Sequence, residues 1–177
     1  MVKILPACKA CVRSGFLCTS CQEKLDDGEL TEFELDIAKS LLEAEEQNEK
    51  FSFLREVSFF KAIDYEDVVI LVVGKKDKLR IKPDLINWLK ETYEIDNLIL
   101  IEKTSKPRPV IEALIAPYKL ISLNEIFLAT GEIEFRAILT QSDKEKLLFT
   151  QEELEELVLE LTGNVTRIEF ESAKINI

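Results

Sequence analysis

The sequence predicts an α+β protein, an N-terminal cysteine-rich knob followed by two α-β-β-α-β units. Three observations carry that expectation. All four cysteines of the 177 residues fall between Cys8 and Cys21, in two C-x-x-C pairs. Two helix starts are written as capping boxes, Thr31 with Glu34 and Thr150 with Glu153. The run Val68–Val73 is unbroken apolar text, the signature of a strand buried on both faces.

The cysteine pairs are Cys8-Lys-Ala-Cys11 and Cys18-Thr-Ser-Cys21. C-x-x-C spacing lets one tight turn present two thiolates to one ion, and the six residues between the pairs suffice for a loop that brings them together. Gly15 can make the sharp turn in that loop. Four thiolates suit a closed, tetrahedral, structural zinc site, so Cys8, Cys11, Cys18 and Cys21 are the expected ligands of one Zn2+. Lys3, Lys9, Arg13 and Lys24 would offset the charge of a tetrathiolate. Two disulfides, an iron–sulfur cluster and a redox C-x-x-C are the alternatives for this pattern.

Beyond the cysteines, Leu30 and Leu35 staple the first capped helix, expected from 31 to about 49. Val57–Ile63 and Val68–Val73 read as strands around an Asp64–Asp67 turn. Pro83 opens the next helix, with Leu85, Ile86, Leu89 and Tyr93 on its inner side, and Leu98–Ile101 is a third strand. The order then recurs. Pro109 opens a short helix stopped at Pro117, Lys119–Leu128 and Glu132–Leu139 are strands, and a helix begins at Thr150 and stops at Gly163. Val165–Phe170 is the last strand. The expected divisions are 1–29 for the metal-binding segment, 30–104 for the first unit and 105–177 for the second, joined by a Ser-Lys-Pro-Arg-Pro linker.

Charge and composition narrow the function. The net charge of −11 argues against broad electrostatic binding of nucleic acid. Histidine is absent, which removes the commonest general acid/base, and with the cysteines assigned to metal no catalytic motif remains. The expectation is a protein that is not an enzyme and has no small-molecule substrate. No apolar run reaches the roughly 20 residues of a membrane span, and the N-terminal text lacks an apolar signal core. The expected compartment is the cytoplasm, with no membrane partner. One basic stretch stands out in this acidic chain. Residues 75–82 hold Lys75, Lys76, Lys78, Arg80 and Lys82 against Asp77 alone. It reads either as a phosphate-contacting loop or as a solvated turn.

Several phrases carry a resemblance: Gly28-Glu29-Leu30-Thr31-Glu32 after the cysteines; Lys61-Ala62-Ile63-Asp64 before Asp67–Val73; Ala113-Leu114-Ile115-Ala116-Pro117; and Glu152–Leu157 with Leu161-Thr162-Gly163. With the order of elements, these resemble the archaeal NusA-like proteins, which carry tandem type II KH domains. The resemblance implies two KH-like units and an association with RNA and transcription. It also has a gap. The Gly-x-x-Gly loop of a competent KH domain is missing, with Gly74–Asp84 in its place in the first unit and Gln141–Lys146 in the second. The implied function is therefore an accessory factor of transcription or translation that docks on RNA polymerase or the ribosome. The alternative is weak, direct RNA binding through the basic loop.

Overall fold

The computed structural model of the chain describes residues 4–172. They fall into two compact units, Met1–Lys103 and Thr104–Ile177. Each carries a three-stranded sheet, and the architecture is α+β. Among the described residues no helix is long and apolar enough to cross a membrane.

The first unit opens with two short helices, α1 (Lys9–Ser14) and α2 (Thr19–Asp26), which hold the cysteines. Helix α3 (Glu32–Gln47) starts at the capping box read in the sequence. Thr31 accepts the Glu34 N–H, and Glu34 Oε2 accepts the Thr31 N–H at 2.9 Å. The other oxygen of Glu34 does something the sequence did not signal. Oε1 accepts the Ala62 N–H at 3.1 Å, so one buried carboxylate ties the start of α3 to the first strand. Ile37, Ala38, Leu41 and Leu42 supply the buried stripe of α3.

After α3 the chain forms a 3-10 helix, Glu49–Glu56, where the sequence suggested only a connection. Its apolar spacing is too short to read as a helical stripe, but Phe51 and Leu54 enter the core, and Phe51 packs on Trp88 with ring centroids 5.7 Å apart. Strand β1 (Phe59–Tyr65) begins two residues later than the pattern Val57–Ile63 suggests. The reason is local. The Phe59 N–H is spent on the Ile4 carbonyl, 2.9 Å away, and a bulge lies between Phe59 and Lys61.

β2 (Val68–Val73) sits in the middle, antiparallel to β1 and parallel to β3 (Asn97–Glu102). All six of its side chains are buried, which is why its text is continuous rather than alternating. Between β2 and β3 runs α4 (Pro83–Tyr93), with Pro83 in its first turn. It docks on α3 through Tyr93, whose ring meets Phe33 edge-on at 5.8 Å and whose hydroxyl lies 2.7 Å from that of Ser40.

The second unit repeats the order: α5 (Pro107–Ile115), β4 (Leu120–Phe127), β5 (Ile133–Thr140), α6 (Gln151–Thr162) and β6 (Thr166–Glu171). The pairing senses repeat too, and a bulge again interrupts the first strand pair, here between Leu120 and Ser122. Helix α5 starts at Pro107, two residues before the Pro109 start expected, so the expected linker forms part of its first turn. Both prolines fit there, because amides in the first turn have no partner within the helix. Val110, Ile111, Leu114 and Ile115 bury the inner side of α5, and Leu154, Leu157 and Val158 that of α6. On one face of the sheet, Arg136 pairs with Glu169 and Arg167 with Glu134 across β5 and β6.

Glu34 gives a direct test of this layout. Glu34→Ala removes the capping partner and strands the buried Ala62 N–H, and is expected to cost about 2–4 kcal/mol. Glu34→Gln keeps one acceptor oxygen and is expected to lose less. Urea unfolding at constant slope measures both. A midpoint for the alanine variant indistinguishable from the parent would contradict the pinning role.

Candidate metal centre

Each C-x-x-C pair straddles a helix start. Cys8 is the N-cap of α1 and Cys18 that of α2, while Cys11 and Cys21 lie three residues on, inside the first turn. Gly15 ends α1 in the left-handed conformation, φ 75°, which only glycine takes without strain, and the chain doubles back to Cys18.

The result is a cluster of four Sγ atoms, all within 4.8 Å of one another. A tetrahedral four-sulfur site with metal–sulfur bonds of about 2.3 Å has sulfur–sulfur edges of roughly 3.8 Å, within that spread. The Cys8–Cys11 separation of 2.9 Å exceeds a covalent S–S bond of about 2.05 Å, and all four residues are free cysteines. Cys11 and Cys21 are buried; Cys8 and Cys18 are exposed.

Backbone amides face the set. The Cys18 N–H donates to Cys11 Sγ, and the amides of Cys11, Cys21 and Cys8 favour the charged form of Cys8, Cys18 and Cys21 in turn. The Cys18 to Cys11 bond measures 3.2 Å. N–H donors aimed at sulfur favour thiolate over thiol. The thiols nonetheless divide protons between them. Cys8 is lowered, first by the Cys11 thiol, and Cys18 falls to about 7, first through the Cys21 amide and then the Cys11 thiol. Cys11 is pushed up to about 12, first by Cys8. Cys21 is raised, burial and the Cys18 thiol outweighing the larger opposing pull of the Cys8 amide. Four sulfurs this close cannot all ionise unless a cation sits among them. The donor set therefore fits a metal ion.

The cluster is fastened to the first unit. Cys11, Val12 and Cys21 belong to the same apolar core as Ile37 and Leu41 of α3. Arg13 forms an ion pair with Glu46 of α3, so it is engaged away from the sulfurs. Lys3 lies outside the described residues. Phe16, between the two pairs, is 83% exposed, a position that the spacing of cysteines alone could not reveal.

The basic loop follows β2 and is wound around one buried acid. Asp77 Oδ2 accepts the Ser58 N–H at 2.9 Å, Gly74 donates to the Ser58 carbonyl at 2.9 Å, and Asp77 donates to the Gly74 carbonyl at 3.0 Å. A Cβ at Gly74 would run into the Asp77 carboxylate, so this glycine is required by close approach. Lys76 takes a positive φ of 68° and donates its N–H to Glu102. The five basic residues are not equivalent. Arg80 pairs with Glu56, and its Nε lies 3.9 Å from Asp77. Lys82 Nζ stands 5.5 Å from the centroid of the Phe53 ring. Lys75, Lys76 and Lys78 are exposed, and beside them Leu79 is 88% exposed. Asp77 was the missed residue here; its being the single acid of the run was the available signal.

No family model and no curated protein matches the chain. A solved archaeal structure titled "Crystal structure of APE1850" superposes with a TM-score of 0.46 at 18% identity, over 64% of this chain and 88% of that one.

Because the cluster shares the core of α3, stripping a metal held by these sulfurs should loosen more than the cysteine loop. Hydrogen exchange after chelation, or in Cys18→Ser, is expected to deprotect 8–26 and the inner face of α3 while β5 in the second unit keeps its protection. Unchanged protection at 8–26 would show that the sulfurs hold no metal of structural consequence.

Proposed function

We propose that the chain is a non-catalytic docking factor whose four-sulfur centre holds one structural Zn2+. Zinc suits four thiolates in a closed tetrahedron, which leaves no open coordination position for chemistry. The observation that carries the docking reading is a pair of outward apolar tips in the first unit. Phe16 and Leu79 are its most exposed large apolar side chains among the described residues, at 83% and 88%. Each stands on a braced loop, one between the cysteine pairs and one wound around Asp77. Aromatic and aliphatic anchors of this kind serve partner recognition. By the likeness to NusA-like proteins, the partner is RNA polymerase or the ribosome, met in the cytoplasm, and the two α-β-β-α-β units are degenerate KH folds.

A second reading, direct RNA binding, is favoured by one observation. Lys75, Lys76 and Lys78 are exposed on a loop whose backbone is already ordered. Three phosphate contacts give a log–log salt slope of about −2, using roughly −0.7 per contact for single strands. Binding would be weak and indifferent to sequence, since no glycine pair lets bases approach closely.

Affinity purification with and without nuclease separates the two readings. The docking reading expects subunits of RNA polymerase or the ribosome to persist after nuclease, and to be lost from the variant carrying Phe16→Ser and Leu79→Ser. Association abolished by nuclease, and by reversing Lys75, Lys76 and Lys78, would instead establish the RNA reading. Those three are the residues to reverse, because a carboxylate at position 80 would face Glu56 and Asp77 and disturb the loop itself.

A further inference from the structure

Strand β6 has one neighbour. The second sheet runs β4-β5-β6, and among the described residues nothing pairs with the far side of β6. The register shows which groups that side presents. Phe135 donates its N–H to the Val165 carbonyl, and β5 and β6 are parallel, so Val165, Arg167 and Glu169 turn their backbone towards β5. Thr166, Ile168 and Phe170 turn theirs outward. A groove of about 580 Å³ runs along this edge under α6, lined by Glu155, Glu156 and Leu159 of the helix and by Val165, Arg167 and Glu169 of the strand end. Leu159 and Val165 are each 46% exposed, so apolar surface lies open beside a strand edge that no other strand covers among the described residues.

We propose that this edge takes an extended, basic segment of a partner protein as a fourth strand of the second sheet. An open strand edge beside an apolar groove is recognised by another strand, through main-chain hydrogen bonds and alternate side chains. The Ile168 N–H already shows the bond such a strand would make. It donates to Glu155 Oε1 at 2.8 Å, a side-chain oxygen standing where a partner's carbonyl would sit. An incoming carbonyl can replace that carboxylate, and the freed Glu155 then faces the incoming side chains.

Charge selects the occupant. Helix α6 carries five glutamates and no lysine or arginine. Arg167, the cation at the groove, is engaged with Glu134 at 3.1 Å. Lysines or arginines alternating with small apolar residues would set their charges against Glu155 and Glu156 and their apolar side chains on Leu159 and Val165. A second copy of this chain at the same edge would bring two acidic α6 helices side by side on one face, and nucleic acid would meet the same acids. The inference concerns the second unit alone and uses neither the sulfurs nor the basic loop, so it stands or falls separately from the docking function of the first unit.

The test uses the full metal-loaded chain and a labelled peptide, acetyl-Lys-Val-Lys-Val-Lys-Val-Lys-amide. Saturable binding is expected, with amide signals of Thr166, Ile168 and Phe170 shifting together. Replacing the peptide's lysines with glutamate, or methylating alternate backbone nitrogens so that one edge cannot donate, should abolish it. Val165→Lys and Glu156→Lys, both at exposed positions, should each weaken binding at least tenfold without changing the circular dichroism of the chain. Equal binding of the methylated peptide, or indifference to both variants, would reduce the effect to diffuse charge attraction and overturn the proposal. Absence of binding would overturn it as well. So would a parent chain that sediments as a dimer and becomes a monomer in Val165→Lys, since a second copy would then own the edge.

Discussion

Four thiols confined within 4.8 Å of one another make a charge problem that the rest of the first unit is built around. Nearby backbone amides favour thiolate at each sulfur, while the sulfurs themselves divide the protons, easing ionisation at Cys8 and Cys18 and opposing it most at Cys11. A cation bound among them would resolve that conflict and turn it into stability, because its affinity would go into holding the loop closed. What the loop then holds is more than itself. Cys11, Val12 and Cys21 form one end of the core that continues through α3, and Arg13 reaches Glu46 on the same helix. The cysteine loop and α3 share one core, with Phe16 exposed between the cysteine pairs.

A second theme is the use of carboxylates as pins. Glu34 receives the Ala62 amide, Asp77 the Ser58 amide and Glu155 the Ile168 amide. Glu34 and Glu155 come from crowded acidic stretches and Asp77 is the lone acid of a basic one, but each accepts a backbone N–H in or beside a strand that the sheet itself does not pair. Hydrogen bonds to a charged acceptor are the stronger kind, and a buried amide without a partner costs more than the bond contributes. Two of the three pins are fixed parts of a core. The third, Glu155, sits at an open edge, where an acid on the strand's flank also discourages unwanted pairing.

The parts of this protein that were legible from sequence are those governed by short-range rules. Two capping boxes stood where written, because N-cap and N3 residues interact within one turn. Val68–Val73 was readable because burial on both faces leaves an uninterrupted apolar run. The cysteine spacing dictated a cluster, and the repeated order of elements gave two three-stranded sheets. What escaped were long-range arrangements. That Glu34 reaches a strand 28 residues away, that Arg80 and Lys82 are occupied by Glu56 and Phe53, and that Glu49–Glu56 winds into a 3-10 helix all depend on neighbours that no local pattern encodes. The early start of α5 is a smaller case, since two prolines two residues apart offered equal claims to its first turn.

The account turns on the four sulfurs surrounding one zinc. X-ray absorption at the zinc edge of freshly purified protein addresses this without perturbing the fold. The account predicts one zinc per chain and a single shell of four sulfur scatterers at about 2.3 Å, with no nitrogen or oxygen ligand. Iron in place of zinc, a shell mixing sulfur with oxygen, or metal-free protein whose first unit exchanges no faster than the metal-bound form would contradict it.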